Sequence, residues 1–263
     1  MAASPTRAAT FADLKTDWSN SSNPNPGPFG TWSYTQGGAP LPFVSHWAGD
    51  GGNLSGWGPA ANTGGDFLPF FFQTTTVYDD SRPGDCLVHT TDQANGGPNG
   101  PAIFIWTSGM DGTVTITGTL WPIRLIGRTN DYQLILVHNG DAAVLDSGQV
   151  VEDGGISRCF PIRFRIPQLA ISSGDALKLQ IIQDPQSAFG DFVGVNLSVS
   201  TGNCSDDPGD LNGDGKLDGQ DIAHFVNCVL HGASPCADCA CGDMDNSGAT
   251  DLGDVSLFAA ALL

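Results

Sequence analysis

The chain has 263 residues, with ten Lys or Arg against 28 Asp or Glu, a formal net charge of −18. So acidic a balance argues against nucleic acid and anionic membranes as partners, because both are recognised through basic patches. No apolar run reaches the length of a membrane span, and Gly, Thr, Ser and Val outweigh the strong helix formers, which points to a β-rich fold.

The first seven residues lack the apolar core of a signal peptide, and the chain reads as an exported protein whose leader has been removed. Its expected place is extracellular, secreted or at the cell surface. Residues 11–18 lead into an Asn/Pro-rich loop over 20–28. A short strand at 31–34, a Gly/Pro/Asn-rich stretch to about residue 65 and an apolar run at 67–73 follow. Period-two alternation then becomes clean at 102–106, 112–118, 132–137, 159–166, 175–182 and 192–199, each segment bounded by turn residues. Such a series predicts an antiparallel sandwich of about eight to ten strands in two sheets. Residues 17–24 and 31–34, with the segments at 103–107, 112–118 and 175–179, resemble the jelly-roll, galactose-binding-like sandwiches of secreted bacterial proteins. The resemblance implies a mainly β jelly-roll domain over 1–202 that binds glycan or cell-surface material.

Sugar sites use exposed aromatic rings beside polar side chains, and six tryptophans are available. Trp32 and Trp106 lie on alternating strands and are expected in the core. Trp47 and Trp57 sit in a glycine-rich stretch over 45–58 with little core to offer, so they are the candidate stacking platforms, with Asp50 and Asn53 as polar companions. Catalysis finds little support. There is no G-x-S-x-G elbow, no H-E-x-x-H and no glycine-rich phosphate loop. A glycosidase pair could be drawn from Asp79, Asp80, Glu152 and Asp153, but turn positions explain all four, and no catalytic residue is assigned.

The last sixty residues differ from the rest. From Cys204 onward there are eleven acids and one base, Lys216. Two twelve-residue stretches, 210–221 and 243–254, start 33 positions apart and place oxygen side chains at positions 1, 3, 5, 9 and 12 around a glycine at 6. In the first these are Asp210, Asn212, Asp214, Asp218 and Asp221 around Gly215. In the second they are Asp243, Asp245, Ser247, Asp251 and Asp254 around Gly248. This is the pattern of a calcium loop, in which alternate residues turn oxygens inward and position 7, here Lys216 and Ala249, offers its backbone carbonyl. Crowded carboxylates repel until a cation sits among them, so two Ca2+ ions are expected. After each loop apolar residues recur at helical spacing: Ile222, Phe225, Val226, Val229 and Leu230, then Val255, Phe258 and Leu262. The segments before the loops are turn-forming and cysteine-rich, so neither unit has the entering helix of a full EF-hand.

Two loop–helix units without entering helices resemble a type I dockerin, over about 203–263. That family pairs two such repeats, each holding one calcium, and docks onto cohesin modules through loop positions 10 and 11 and the helix. Here those positions are Gly219 and Gln220, then Leu252 and Gly253, not the Ser/Thr frequent in that family. The partner implied is a protein, either a cohesin-like module or another copy of this chain. Seven cysteines are present: Cys86, Cys159, Cys204, Cys228, Cys236, Cys239 and Cys241. Spacing in the last five, with His231, would also suit zinc, but an oxidising, calcium-rich setting favours disulfides among them, and Cys86 could pair with Cys159. Three function classes follow: a non-catalytic secreted module with a docking tail, a self-assembling filament or surface-layer subunit, and a polysaccharide-active enzyme.

Overall fold

The computed structural model describes residues 10–47, 49, 53–59, 68–91, 100–152, 155–158, 160–184, 189–200, 209, 211, 217–219, 221–231, 239–245, 247 and 250–263. In chain order the strands are β1 (Thr10–Asp13), β2 (Asn25–Pro26), β3 (Gly30–Gln36), β4 (Ala39–Pro40), β5 (Phe43–Trp47), β6 (Leu54–Trp57), β7 (Phe70–Gln73) and β8 (Cys86–His89). They continue as β9 (Ala102–Ser108), β10 (Gly112–Pro122), β11 (Thr129–His138), β12 (Asp141–Val151), β13 (Ile162–Ile171), β14 (Ala176–Gln183) and β15 (Phe192–Ser200). Two helices follow, α1 (Asp221–His231) and α2 (Val255–Ala261), with a 3-10 turn at Cys239–Gly242 between them. The fold is mainly β, an antiparallel jelly-roll sandwich with a small helical C-terminal region.

One sheet runs β13-β10-β15-β8-β7-β6-β5, with β1 against β15; the other runs β12-β11-β14-β9-β3-β2, with β4 against β3. The chain passes from one sheet to the other at most connections after β9, which brings β10 beside β15 despite their separation in sequence. The exception is the β11–β12 hairpin. Its two-residue loop, Asn139-Gly140, has φ of 51° and 91°, the left-handed pair that a tight hairpin turn demands and that Asn-Gly adopts most easily.

Alternation explains the main core. In β14, Leu177, Leu179 and Ile181 turn inward, and they meet Ile116, Leu120, Val195 and Leu197 of the facing sheet. The run Phe70-Phe71-Phe72 does not alternate, because β7 is covered on both sides. Phe71 joins the inter-sheet core, while Phe70 and Phe72 enter a second cluster with Trp47, Leu87, Trp121 and Phe192 on the sheet's other face. A strand buried on both faces reads as an unbroken apolar run.

The fifteen strands among the described residues exceed the eight to ten expected from alternation. The additions are mostly short, such as β2, β4 and β8, whose length gives no readable period. One is not: β12 spans eleven residues but is an edge strand whose first half is exposed, so no core face imposes a pattern on it. The strand expected at 159–166 is shifted and forms over Ile162–Ile171.

Glycine matters where a ring crosses the sheet. Gly194 pairs with Trp121 across β15 and β10, and a Cβ there would stand 2.1 Å from the indole. We expect Gly194→Ala to destabilise the sandwich by about 1–3 kcal/mol through overpacking, read as a lowered urea midpoint with an unchanged m-value.

Candidate metal centre and a polar cavity

Each twelve-residue repeat ends on a wholly buried aspartate that opens a helix. Asp221 Oδ1 accepts a hydrogen bond from Leu211 N at 2.9 Å, and Oδ2 accepts one from Asp218 N at 2.9 Å. Asp254 does the same at equivalent positions, with Oδ1 accepting from Met244 N at 2.7 Å and Oδ2 from Asp251 N at 2.8 Å. Position 12 thus closes each loop by gripping the amides of positions 2 and 9. The match extends to the helices. Phe225 and Phe258, each four residues beyond its aspartate, stack on one another with centroids 3.9 Å apart and planes 6° from parallel.

In the second repeat, Asp243, Asp245 and Asp254 each bring one carboxylate oxygen within 4.8 Å of the others. Oxygens that share a calcium ion at 2.3–2.6 Å lie at most about 5 Å apart, so the donor set fits one hard cation. Its outer walls are fixed by amides. Ser247 N donates to Asp243 Oδ1 and to Asp245 Oδ1, both at 2.9 Å, and Gly253 N donates to Asp251 Oδ1 at 2.6 Å. The Ser247 side chain and amide hold Asp245 below the usual carboxylate range. A Cβ at Gly253 would press on two of these carboxylates, 3.0 Å from Asp251 Oδ1 and 3.1 Å from Asp245 Oδ2, a local reason for glycine at position 11. In the first repeat Asp218 and Asp221 are described. Asp210, Asn212, Asp214 and Lys216 lie outside the described residues, as does Ala249 of the second.

A small core of Leu211, Phe225, Cys228, Cys239 and Phe258 holds the repeats together. Cys228 and Cys239 form a disulfide that ties α1 to the 3-10 turn, and Thr250 Oγ1 donates to the Cys239 carbonyl. The apolar stripe read from helical spacing is split. Phe225 and Phe258 are buried, but Ile222, Val226, Leu230 and Val255 stay between 41 and 71 % exposed and line an apolar groove of about 320 Å³ between α1 and α2. Cys86 carries a free, fully buried thiol, its Sγ directed at Leu14 O, so the bridge expected with Cys159 is not formed. Burial, above all, raises that thiol beyond the ordinary cysteine range. Cys159, Cys204 and Cys236, and the Cys241 side chain, lie outside the described residues.

The tryptophan platforms expected at 47 and 57 are also corrected. Much of the glycine-rich stretch folds into β5 and β6 of the larger sheet, leaving Trp47 only 3 % and Trp57 only 4 % exposed. Trp47 lies flat on Phe70 at 4.7 Å, and Trp57 stacks at 6.2 Å beside Tyr34 while its Nε1 donates to Ser19 O. Neither ring has a face for a sugar. Asn53 is exposed, and Asp50 lies outside the described residues. Trp32 and Trp106 are core, as expected.

A polar cavity of about 350 Å³ opens instead among the connections that follow β10 and β12, lined by Leu125, Gly127, Arg128, Thr129 and Glu152. Glu152 Oε2 accepts from Gly127 N, and Arg128 Nη1 donates to Gly190 O while its guanidinium sits 5.2 Å over the half-exposed Phe189 ring. Behind Glu152 lies Asp191, 2 % exposed; its two oxygens and Glu152 Oε1 find no donor among the described residues. Burial, then the facing Glu152 carboxyl, push Asp191 up to about 8, so at neutral pH Asp191 keeps its proton. Sequence reasoning weighed Glu152, the sole glutamate, as one of a glycosidase pair and set it aside as a turn residue. It missed Arg128, Phe189 and Asp191, which no motif spacing links. An acid whose folded pKa is raised keeps its proton where the unfolded chain has lost it. Its contribution is therefore intact below about pH 4 and fades as pH climbs to about 8. Urea midpoints of Asp191→Asn relative to the parent should accordingly rise between pH 5 and pH 8; a pH-independent difference would contradict the raised Asp191.

No family model matches the chain, and no curated protein matches it in sequence. Solved structures that resemble it include the CBM22-1 xylan-binding domain of a Paenibacillus barcinonensis protein, at 9% identity over 74% of this chain and 96% of that one, TM-score 0.35. A CBM61 module in complex with β-1,4-galactotriose matches at 8% identity over 73% of this chain and 97% of that one, TM-score 0.33. A family 32 module from C. perfringens in complex with galactose matches at 14% identity over 43% of this chain and 75% of that one, TM-score 0.28.

Proposed function

We propose that this is a secreted, non-catalytic modular protein whose C-terminal repeats bind two calcium ions and, so ordered, dock it to a protein partner, while the sandwich binds glycan. The observation that carries the reading is the repeated grip of Asp221 and Asp254 on equivalent amides, with the Asp243, Asp245 and Asp254 oxygens converging within 4.8 Å. Calcium would supply the charge these oxygens lack, with Asp210, Asn212, Asp214, Asp218 and Asp221 holding one ion and Asp243, Asp245, Ser247, Asp251 and Asp254 the other. In each loop the backbone carbonyl at position 7 would add a ligand. The apolar groove between α1 and α2 supports docking, since contiguous exposed apolar side chains rimmed by polar ones mark interaction surfaces. For the sandwich, the polar cavity beside Arg128 and Glu152 supports a ligand-binding role.

Calorimetric titration should find two calcium sites per chain, falling to one in Asp254→Ala and to one in Asp221→Ala. A site at about a thousand times its dissociation constant contributes about 4 kcal/mol, as much as so small a domain holds in total. Chelation should therefore unfold the tail and leave the sandwich melt in place. An absence of calcium heat, or identical melts with and without chelator, would overturn the proposal. Sizing of the calcium-loaded chain separates the partners: a monomer at all concentrations fits a separate module, and a calcium-dependent oligomer means another copy.

A further inference from the structure

Resting on the glycan reading just given, we propose that the cavity bounded by Leu125, Gly127, Arg128, Thr129 and Glu152 is the sugar site, and that it takes a single neutral sugar ring presenting adjacent hydroxyls. Each hydroxyl of a sugar both donates and accepts, so a site for two neighbouring hydroxyls needs a fixed donor fork beside a fixed acceptor. Arg128 and Glu152 are that combination. Both are already held. Glu152 Oε2 is anchored by Gly127 N, and Arg128 is anchored by Gly190 O and the Phe189 ring. Side chains locked before the ligand arrives lose little entropy when it binds.

Charge selects the ligand class. Arg128 and Glu152 bring one base and one acid to the lining, and burial keeps Asp191 behind them protonated at neutral pH. The site is then close to neutral, which disfavours a divalent cation. An anionic polysaccharide is disfavoured as well, because residues 1–203 carry seventeen acids against nine bases. Size points the same way. At about 350 Å³ the cavity is at the lower end of ligand pockets, which suits one ring and not a groove-bound chain. Leu125 and Ile126, 76 and 49 % exposed, give the nearby loop apolar surface for the carbon face of a sugar.

The test uses the full chain with galactose, glucose, mannose and xylose as free sugars and galacturonate as the anionic comparison, followed by saturation-transfer NMR and calorimetry. At least one neutral sugar should bind saturably. Arg128→Ala, Glu152→Gln and Thr129→Val should each weaken it tenfold or more, with the thermal melt confirming that the sandwich is folded. Should one variant fail to fold, the other two still decide. Neutral-sugar binding that survives all three substitutions would place the sugar site elsewhere and overturn this inference while leaving the glycan reading intact. Polysaccharide binding on an array without binding of any free neutral sugar would do the same. Preference for galacturonate would overturn the ligand class. No binding to any sugar or array glycan would overturn both.

Discussion

The C-terminal region turns on one interaction, a buried carboxylate at the last position of each repeat taking backbone amides from the start and the end of its own loop. A carboxylate offers two oxygens to amides at once, so each aspartate fixes its loop and sets a carboxylate beneath it. The second consequence shapes the first. The same oxygens that shut the loop converge with those of Asp243 and Asp245, and because the helix begins at that aspartate, helix position and loop closure cannot vary separately. The stacked Phe225 and Phe258 then lock one repeat against the other at matching positions.

The groove between the helices follows from the same duplication. Each helix offers one aromatic ring to the shared interior, and the disulfide at Cys228 occupies the remaining space on α1. With the interior filled, Ile222, Val226 and Val255 have no place in it and lie along the seam outside. An amphipathic stripe broad enough for a larger core here meets a core too small to take it, so part of the stripe stays outside.

What could be read beforehand depended on whether a residue's role is local. The closing aspartates of the repeats were legible because Asp221 and Asp254 end twelve-residue stretches of the same spacing, and the helices because Phe225 and Phe258 follow at helical period. The sandwich was legible from β9 onward, where strands such as β14 have one buried face and so must alternate. It was obscured where that condition fails. The β7 run is buried on both faces and β12 is half exposed. Trp47 and Trp57 misled for a related reason. Glycine around them suggested open loop, whereas Gly56 is needed so that β6 can pass close to Phe71, whose carbonyl oxygen would lie 2.0 Å from any Cβ there. The cavity was invisible because Arg128, Glu152 and Asp191 meet only through the passage of the chain between sheets, a long-range consequence of topology.

The two parts of the chain face one problem, a surplus of carboxylates, and meet it differently because their supply of bases differs. In the sandwich a base or a proton is within reach of each buried acid. Burial alone would raise Asp85, but bonds from Arg158 at 2.6 and 3.2 Å, from the Arg82 amide and from Lys15 hold it below its ordinary value. Asp191 keeps a proton against Glu152, and outside the core the exposed Asp79 has Arg124 at 2.7 Å. Arginine suits this work because it stays charged and forks onto two oxygens. From Cys204 onward the chain has a single base among eleven acids, and backbone amides can orient carboxylates but cannot cancel their charge. Neutralisation there has to come from outside the chain. The calcium proposal follows from that shortage as directly as from the loop spacing, and it predicts a tail whose order depends on the surrounding medium beside a sandwich whose buried acids are met within the chain.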